Sequence, residues 1–349
     1  MRYLDKHYAN MRVMRGDIHE HSNSGGRSDG KRPLSEWIDA LKEKGMEFEA
    51  ILDHRQVRHM YLDEYDKFCF LCGTEPGTFI VDCKDTPNAE GNRQNCMHYN
   101  MIFRKKGDLE KVLEAFPEFG FEGGNEGFFN YPSFTRERMQ KLRNMVTDMG
   151  GFYVHPHPCD LMQAEDVSEY VFGDFMGIEV FYRNLTHRLT APQYDLWKKI
   201  LAKGHKVYAC AGVDSHEIAS NEILTTLYAE TLSREVIVDT LHRGNFVCGN
   251  AGIKMCIGDT VMGGVHKLSD GDILEICVGD IAPADYNADT VYHINVYANE
   301  DIKCSVEFKG SEPVNITIPA LDKGYYRVEV IDTARELPIA LGNPIWVEV

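Results

Sequence analysis

Strand-like and helix-like segments alternate along the chain up to about residue 250, and this alternation constrains the fold more than any other feature. The apolar positions Leu34, Trp37 and Leu41 recur at helical spacing before Gly45, and residues 48–52 then form a predicted strand. A strand followed by a helix, repeated about seven times, predicts parallel strands with helical crossovers. The expected fold class is therefore α/β, with the strands closed into a barrel.

The pattern changes from about Lys254 onward. Leu274, Ile276 and Val278 alternate along the chain without a helical period, which is typical of antiparallel strands. Turn sequences at residues 269–271 and 322–324 fit a small all-β sandwich. We therefore expect two domains, a β/α barrel over residues 1–253 and a sandwich-like extension over residues 254–349.

Composition supports a globular protein with a large core, since 43% of the 349 residues are apolar and 26% are charged. The first fifteen residues contain charged side chains and no apolar block, which disfavours a secretory signal. No later apolar run reaches membrane-spanning length. We therefore expect a cytoplasmic protein without a membrane partner, and we expect its ten cysteines to be reduced thiols.

The formal net charge of -17 bears on the partners of the protein. Nucleic-acid binding depends on phosphate neutralisation by clustered lysine and arginine, so a long nucleic acid is disfavoured. A small phosphorylated substrate is compatible with this charge, because metal ions can supply local positive charge. A homo-oligomer is left open.

His19 and His21 lie one residue apart at the end of the first predicted strand, so both imidazoles point to one face. Such a pair alone also arises by chance on a solvated edge. Histidines and carboxylates nevertheless follow the predicted strands repeatedly, as His19, His21, Asp53, His54, Glu75, His98, His155, His157, Asp214 and His216. Because the carboxyl ends of barrel strands form the rim where active sites are built, we expect these side chains to meet.

The types of these side chains indicate a metal site. Imidazole nitrogens mixed with carboxylates suit zinc, manganese or iron better than calcium or magnesium. Their number exceeds what one ion needs, which indicates several ions. Neighbouring metals in two-metal phosphatases clamp phosphoryl oxygens and generate hydroxide at neutral pH.

The motifs that carry these residues also follow a specific order. They are His19-Glu20-His21, Ser28-Asp29-Gly30, Asp53-His54, Gly73-Thr74-Glu75, His98, His155-Pro156 and Gly212-Val213-Asp214-Ser215-His216. In this order they resemble the motifs of the polymerase and histidinol phosphatase (PHP) family. The resemblance implies a distorted seven-stranded β/α barrel, a trinuclear metal site and phosphoesterase activity. Residues 325–347 resemble the β-sandwich extension of some PHP phosphoesterases.

Carried over to this sequence, the resemblance implies three divalent ions, of zinc, manganese or iron. The implied ligands are His19, His21, Glu75 and Asp214 for the first ion, Asp29, His54 and His216 for the second, and Glu75 as a bridge with His98 and His155 for the third. Asp29 stands where some relatives carry histidine. His157 has no fixed role in the pattern, so contact with a ligand or the substrate competes with a merely exposed histidine.

We hypothesise that a hydroxide bridging two metals attacks phosphorus in line while the metals hold the non-bridging oxygens. Arg55 and Arg183 follow predicted strands on the same rim and are expected to bind the phosphate, with a surface salt bridge as the alternative. Asp53 is expected to orient His54 or a water molecule, with a structural hydrogen bond as the alternative. These residues and His157 form the expected catalytic group.

Two other functions stay open. A metal amidohydrolase or deacetylase also opens a barrel with His-x-His, but it typically ends on an isolated aspartate, whereas this chain has Asp214-Ser215-His216. A non-catalytic metal-binding protein is disfavoured only by the completeness of the ligand set. The sequence does not fix the substrate, and a loop around residues 125–129 is a candidate for selecting it.

Overall fold

Helices are interspersed among the strands up to Gly249, and the elements described beyond it are all strands. The computed structural model describes residues 2–26, 28–83, 96–120, 131–218, 223–282, 290–309 and 312–349, so the loop expected to select the substrate lies outside the described residues. The helices of these ranges are α1 (Tyr3–Tyr8), α2 (Leu34–Glu43), α3 (Lys106–Ala115), α4 (Arg136–Asp148), α5 (Pro158–Leu161), α6 (Thr190–Ala202) and α7 (Arg234–His242). The strands up to Gly249 are β1 (Arg12–Glu20), β2 (Phe48–Ile51), β3 (Cys69–Phe70), β4 (Cys72–Thr74), β5 (Gly77–Ile80), β6 (Cys96–His98), β7 (Asn100–Phe103), β8 (Ser133–Phe134), β9 (Phe152–His155), β10 (Met176–Tyr182), β11 (Val207–Gly212), β12 (Thr225–Ala229) and β13 (Phe246–Gly249). The remaining strands are β14 (Gly252–Ile257), β15 (Thr260–Val261), β16 (Val265–Lys267), β17 (Ile273–Gly279), β18 (Tyr292–Ala298), β19 (Asp301–Phe308), β20 (Val314–Pro319), β21 (Gly324–Asp332) and β22 (Leu337–Glu348).

Helix α2 follows directly from its sequence. Its apolar positions Leu34, Trp37 and Leu41 are buried on one face. Pro33 precedes the first turn, where its missing N–H is not needed, and Gly45 follows the last turn with a φ of 68°. The helix predicted from this spacing is confirmed.

The described strands form four sheets. A ten-stranded sheet has the order β19-β18-β21-β22-β13-β12-β1-β2-β3, with β16 beside β22. A five-stranded sheet has the order β11-β10-β9-β7-β4, a four-stranded sheet the order β15-β14-β17-β20, and a three-stranded sheet the order β6-β5-β8.

The strand pairing is mixed, and the expectation of parallel strands throughout the first domain is wrong. Strands β1, β2 and β3 run parallel, as do β9, β10 and β11. Strand β7 runs antiparallel to β4 and β9, and β12 runs antiparallel to β1. Strand β5 follows β4 and pairs antiparallel with β6, which leads into β7, so the chain direction reverses between β5 and β6. The fold class is therefore mixed α/β.

The ten-stranded and five-stranded sheets meet at the carboxyl ends of β1, β2, β4 and β11. Glu20 forms a parallel bridge with Ser215, and His54 forms one with Glu75. Leu52 N donates to Glu20 O at 2.7 Å. These contacts bring the motif residues of four strands to one rim. The described ladders form open sheets, so the closed seven-stranded barrel stays a prediction.

The strands beyond Gly252 enclose a second hydrophobic core, which includes Ile276, Val296 and Val328. Their all-β character agrees with the alternating pattern of the sequence. The sheet that contains β18, β19 and β21 continues through β22 into β13, where Val247 lies opposite Gly342. The division at residues 253 and 254 stays a prediction.

Two further expectations concern the whole chain. Within the described ranges, no helix combines the length and apolarity needed to span a bilayer. All ten cysteines lie in these ranges and are free thiols, as predicted. Four of them are buried, namely Cys72, Cys210, Cys248 and Cys256.

Candidate metal centre

Two imidazole nitrogens and two carboxylate oxygens converge at the ends of β1, β4 and β11. His19 Nε2 is 3.2 Å from Glu75 Oε2 and 3.6 Å from Asp214 Oδ1. His21 Nε2 is 3.2 Å and 2.9 Å from the same two oxygens. Ligand atoms bound about 2.0–2.1 Å from a tetrahedral zinc ion lie about 3.3 Å apart. The four atoms are therefore spaced as ligands of one small divalent ion.

Two of these four atoms, His19 Nε2 and Glu75 Oε2, lack an ordinary hydrogen-bond partner among the described residues. The four side chains are buried, and among the described residues neither His19 Nε2 nor Glu75 Oε2 makes a hydrogen bond of good geometry. A buried polar atom without such a bond costs about 1–3 kcal/mol, which a bound cation would offset. The donor set therefore fits a metal ion.

The backbone of β1 and β11 fixes these side chains. Asp214 N donates to His19 O at 2.7 Å, and His21 N donates to Ser215 O at 3.1 Å. The rings of His19 and His21 lie 5.4 Å apart, on one side of the strand, as the His-x-His spacing predicts. Asp214 has a φ of 50°, so the chain turns directly after β11.

The carboxylate of Glu75 is contacted by five histidines of the site. Its Oε1 lies 3.0 Å from His98 Nδ1 and 3.1 Å from His157 Nε2, and its Oε2 lies 3.1 Å from His54 Nδ1 and 3.2 Å from both His19 Nε2 and His21 Nε2. Burial alone would raise the pKa of Glu75, but the imidazoles outweigh burial and hold this pKa well below its usual value. The carboxylate is therefore ionised.

The electrostatics favour positive charge at the first group of candidate ligands, which consists of His19, His21, Glu75 and Asp214. Burial opposes the imidazolium form of His21, but Asp214 and Glu75 outweigh burial and raise the pKa of His21 to about 10. Burial likewise opposes ionisation of Asp214, yet His19 and His21 hold its pKa far below the usual value. His54 differs, because burial dominates and lowers its pKa to about 4. Its neutral ring is ready to bind a metal.

A second group lies nearer the surface and consists of His21, Asp29, His54 and His216. Asp29 Oδ2 is 3.3 Å from His216 Nε2 and 3.8 Å from His54 Nε2. Burial opposes ionisation of Asp29, but the hydrogen bond with His216 and the charge of His54 lower its pKa to about 2. Asp29 is thus placed with the two histidines that the resemblance assigns to the second ion.

A third group consists of His54, Glu75 and His98. The structure places His157 Nε2 against Glu75 Oε1, where the resemblance implies His155. His155 lies outside the three groups, with Nδ1 3.2 Å from Tyr170 O, and burial lowers its pKa to about 3. The structure therefore places His157 beside Glu75, and the role of His155 as a ligand stays a prediction.

The carboxylate of Asp53 is bound by the segment that follows β1. It accepts hydrogen bonds from Ser22 N at 2.6 Å and Ser22 Oγ at 3.0 Å, and also from Ser24 Oγ. It lies 3.3 Å from His59 Nδ1, and His59 is buried. These contacts favour the structural alternative, in which Asp53 anchors the segment that leads to Asp29.

Arg55 and Arg183 lie beside the site, each at a positive φ. The guanidinium of Arg55 lies 4.8 Å from the centre of the Tyr131 ring. Arg183 is half exposed, and its Nη2 is 3.9 Å from Asp214 Oδ2. Arg183 therefore pairs with Asp214 only at long range, and no ion pair links Arg55 to a described carboxylate.

Sequence reasoning missed two features of the buried core. One is Glu179, whose carboxylate contacts His19. The other is a group of buried carboxylates formed by Asp17, Glu20 and Glu49. A signal was present in both cases, because Glu179 and Glu49 each interrupt an otherwise apolar strand.

The buried cluster of Asp17, Glu20 and Glu49 holds its protons tightly. Burial raises the pKa of Asp17 to about 7. Burial, followed by the charges of Asp17 and Glu20, raises the pKa of Glu49 well above its usual value, and Lys44 opposes this shift only in part. Neither oxygen of Glu49 makes a hydrogen bond of good geometry with the described residues.

We expect Glu49→Gln to stabilise the protein at pH 8 by roughly 1–3 kcal/mol, and by much less at pH 4. The pKa of Glu49 in the folded protein is raised, so its contribution to stability is present below the unfolded pKa of about 4.3 and is lost as the pH rises through the folded value. Glutamine imitates the protonated acid at every pH. Urea unfolding at both pH values measures the difference, with the exposed Glu43→Gln as control. A larger gain at pH 4 than at pH 8 would contradict this account.

No protein-family model and no curated protein matches this chain. Among solved structures, the chain is similar to an amidohydrolase from Chromobacterium violaceum with bound sulfate and no metal, at 16% identity and a TM-score of 0.40, over 58% of this chain and 87% of that one. It is also similar to the lesion-specific endonuclease Q of Pyrococcus furiosus, at 12% identity and a TM-score of 0.42, over 66% of this chain and 56% of that one. A complex of endonuclease Q with a 27-mer duplex carrying an abasic lesion gives 11% identity and a TM-score of 0.44, over the same shares of the two chains. The functional argument rests instead on the histidines and carboxylates described above.

Proposed function

We propose that this chain is a metal-dependent phosphoesterase of the PHP type. The observation that carries the proposal is the Glu75 carboxylate, whose oxygens lie within 3.2 Å of ring nitrogens from five histidines. A buried carboxylate in this position is suited to bridge metal ions that share the surrounding imidazoles. The ligand pattern implied by the resemblance supports the same assignment, except that His157 contacts Glu75 where the pattern implies His155.

Three divalent ions of zinc, manganese or iron would suit the mixed nitrogen and oxygen donors. The residues that would hold them are His19, His21, Glu75 and Asp214 for the first, Asp29, His54 and His216 for the second, and Glu75, His98 and either His155 or His157 for the third. When bound, these ions would polarise phosphoryl oxygens and supply hydroxide at neutral pH. The carboxylates of Asp29, Glu75 and Asp214 balance only half of their charge, so the pocket attracts an anion although the whole chain is acidic.

The side chains around the ions position the substrate and the ligands. Arg55 and Arg183 bind the phosphate, because guanidinium groups form paired hydrogen bonds with phosphate oxygens. Tyr182 orients Asp214 by donating its hydroxyl to Oδ2 at 2.6 Å. The hydroxyl of Tyr131 is 2.7 Å from His98 Nε2, so His98 is held at both ring nitrogens.

The proposal includes the fold. The strands β1, β2, β7, β9, β10 and β11, with the segment formed by β3 and β4, would make the distorted seven-stranded barrel over residues 1–253, and residues 254–349 its sandwich-like extension. The bridges from Glu20 to Ser215 and from His54 to Glu75 support this arrangement, because each links strands of different sheets.

Metal analysis combined with a hydrolase screen tests the proposal. Protein loaded with zinc, manganese or iron is assayed on p-nitrophenyl phosphate, its diester, an N-acetylated substrate and a DNA duplex. We expect metal-dependent turnover of one or both p-nitrophenyl esters and none of the N-acetyl bond, with poor turnover of DNA because of the net charge of -17. Turnover of the N-acetyl substrate alone would favour an amidohydrolase or deacetylase, and bound metal without any turnover would favour a non-catalytic protein.

Arg183→Ala is expected to raise KM for p-nitrophenyl phosphate by about 10–100-fold, because a charge-assisted hydrogen bond contributes about 1.5–3 kcal/mol. The effect on kcat should be smaller. Steady-state kinetics of the metal-loaded protein measure both constants. Arg188→Ala is the matched control, since Arg188 lies nearby in the chain, is 74% exposed and pairs with Asp160. Equal changes of KM in the two variants would count against phosphate binding by Arg183.

A further inference from the structure

Glu179 is a buried carboxylate in the middle of β10, a strand whose residues are all buried. Its Oε1 lies 2.9 Å from His19 Nδ1, and its Oε2 accepts a hydrogen bond from His157 N at 2.7 Å. Glu179 belongs to none of the groups whose atoms are spaced to hold a metal. It contacts His19 at the ring nitrogen opposite the one that faces Glu75 and Asp214.

Gly212 in β11 provides the space for this carboxylate. A methyl group at Gly212 would overlap Glu179 Oε1 and would come within 2.7 Å of His19 Cβ. No side chain larger than hydrogen fits at this position without moving the carboxylate or the imidazole. The geometry between Glu179 and His19 is therefore fixed by packing as well as by the hydrogen bond.

The contact with Glu179 determines which nitrogen of His19 can bind a metal. A carboxylate only accepts hydrogen bonds, so the neutral imidazole must carry its proton on Nδ1 and keep the lone pair on Nε2. His19 Nε2 is the atom that lies 3.2 Å from Glu75 Oε2. Glu179 thus directs the free nitrogen of His19 to the first group of ligands.

The contact with His157 acts on the backbone. His157 has a φ of 29° and a ψ of 52°, a conformation that a residue with a side chain rarely adopts. The hydrogen bond from its N–H to Glu179 Oε2 stabilises this turn directly after β9. In this conformation the ring reaches Glu75 Oε1 at 3.1 Å.

We propose that Glu179 is a positioning residue that orients His19 and His157 together, and so couples the ligands of the first proposed ion to those of the third. This proposal rests on the proposed metal centre. One carboxylate on β10 holds an imidazole from β1 and another from the turn after β9, while both imidazoles contact Glu75 from the opposite side.

Zinc affinity of the full chain, measured by competition with a chromophoric chelator, tests the proposal. Glu179→Gln keeps the volume of the side chain but presents a donor to one of two N–H groups, so we expect zinc to bind about 10–100-fold more weakly. The visible spectrum of the cobalt-substituted protein should change as well, because the geometry of the ligands shifts. Glu329→Gln is the matched control, since Glu329 is also 1% exposed but pairs with Arg327 and Tyr194. It should keep the wild-type zinc affinity and cobalt spectrum.

Gly212→Ala provides a second variant that keeps the charge and displaces the carboxylate, and it should also weaken zinc binding. Wild-type affinity and spectrum in Glu179→Gln, or an equal loss in Glu329→Gln, would overturn the proposal. If Glu179→Gln does not fold, wild-type zinc affinity in Gly212→Ala would overturn the proposal instead. The phosphoesterase screen is read separately: a wild-type protein that binds zinc but cleaves no phosphoester contradicts the proposed function alone, whereas one that binds no zinc overturns both.

Discussion

Glu75→Gln is expected to lower phosphoesterase activity by at least about a thousandfold and to release bound metal. The substitution keeps the shape of the side chain but removes the one charge that five imidazoles share. It also replaces one acceptor oxygen with a donor, which leaves buried ring nitrogens facing an N–H group. Metal content by elemental analysis and turnover of p-nitrophenyl phosphate measure the two losses.

Glu49→Gln is the matched control for this experiment. Glu49 is equally buried, but it lies in the cluster that it forms with Asp17 and Glu20, and it contacts none of the five histidines. We expect it to retain both metal and activity. A Glu75→Gln protein with wild-type metal content and turnover would contradict the assignment of Glu75 as the carboxylate that the proposed metal ions share.

Metal binding is expected to raise the thermal midpoint of chelator-treated protein by about 8–16 °C. A ligand at a thousand times its Kd stabilises the native state by about 4 kcal/mol, and each kcal/mol corresponds to about 2–4 °C in a domain of this size. The reason is that the ligand atoms of β1, β11 and Glu75 converge only in the folded chain. Differential scanning fluorimetry with and without zinc or manganese measures the shift.

His21→Ala should abolish most of this shift while the metal-free midpoint changes little, because His21 belongs to both the first and the second group.

The shift of the thermal midpoint on metal binding should also grow from about pH 6 to about pH 9. The pKa of His21 is raised to about 10, so protons compete with the metal throughout this range and compete less as the pH rises. A shift of equal size in the wild type and in His21→Ala would argue against binding at this site.

The local features of the fold are predictable from the sequence, whereas the strand directions are not. Helix α2 is visible in the sequence because Leu34, Trp37 and Leu41 must share one buried face. The ends of β1 and β11 are visible because polar motifs follow apolar runs. The antiparallel course of β7 depends on its pairing with β4 and β9, and no local pattern records which distant strand becomes a partner.

The same distinction holds within the site. The residue types at the strand ends predict a metal centre, and the structure brings Asp29, His54 and His216 together as expected. His157 reaches Glu75 from a turn in which its φ is 29°, and nothing in the sequence specifies that angle. Glu179 is visible in the sequence as a charged residue within an apolar strand, but its partners His19 and His157 lie on distant segments that no local pattern identifies.

Strand β22 has a consequence for how the protein is made. It completes the edge of β13, and its Asn343 accepts a hydrogen bond from Ala209 N at 2.7 Å and donates one to Phe246 O at 3.0 Å. These partners are separated by roughly a hundred residues or more, which ribosomes synthesise in about 5–20 seconds. During that interval β13 has been synthesised but the edge that β22 covers has no neighbour, so chaperones, or wrong strands, have time to act on it.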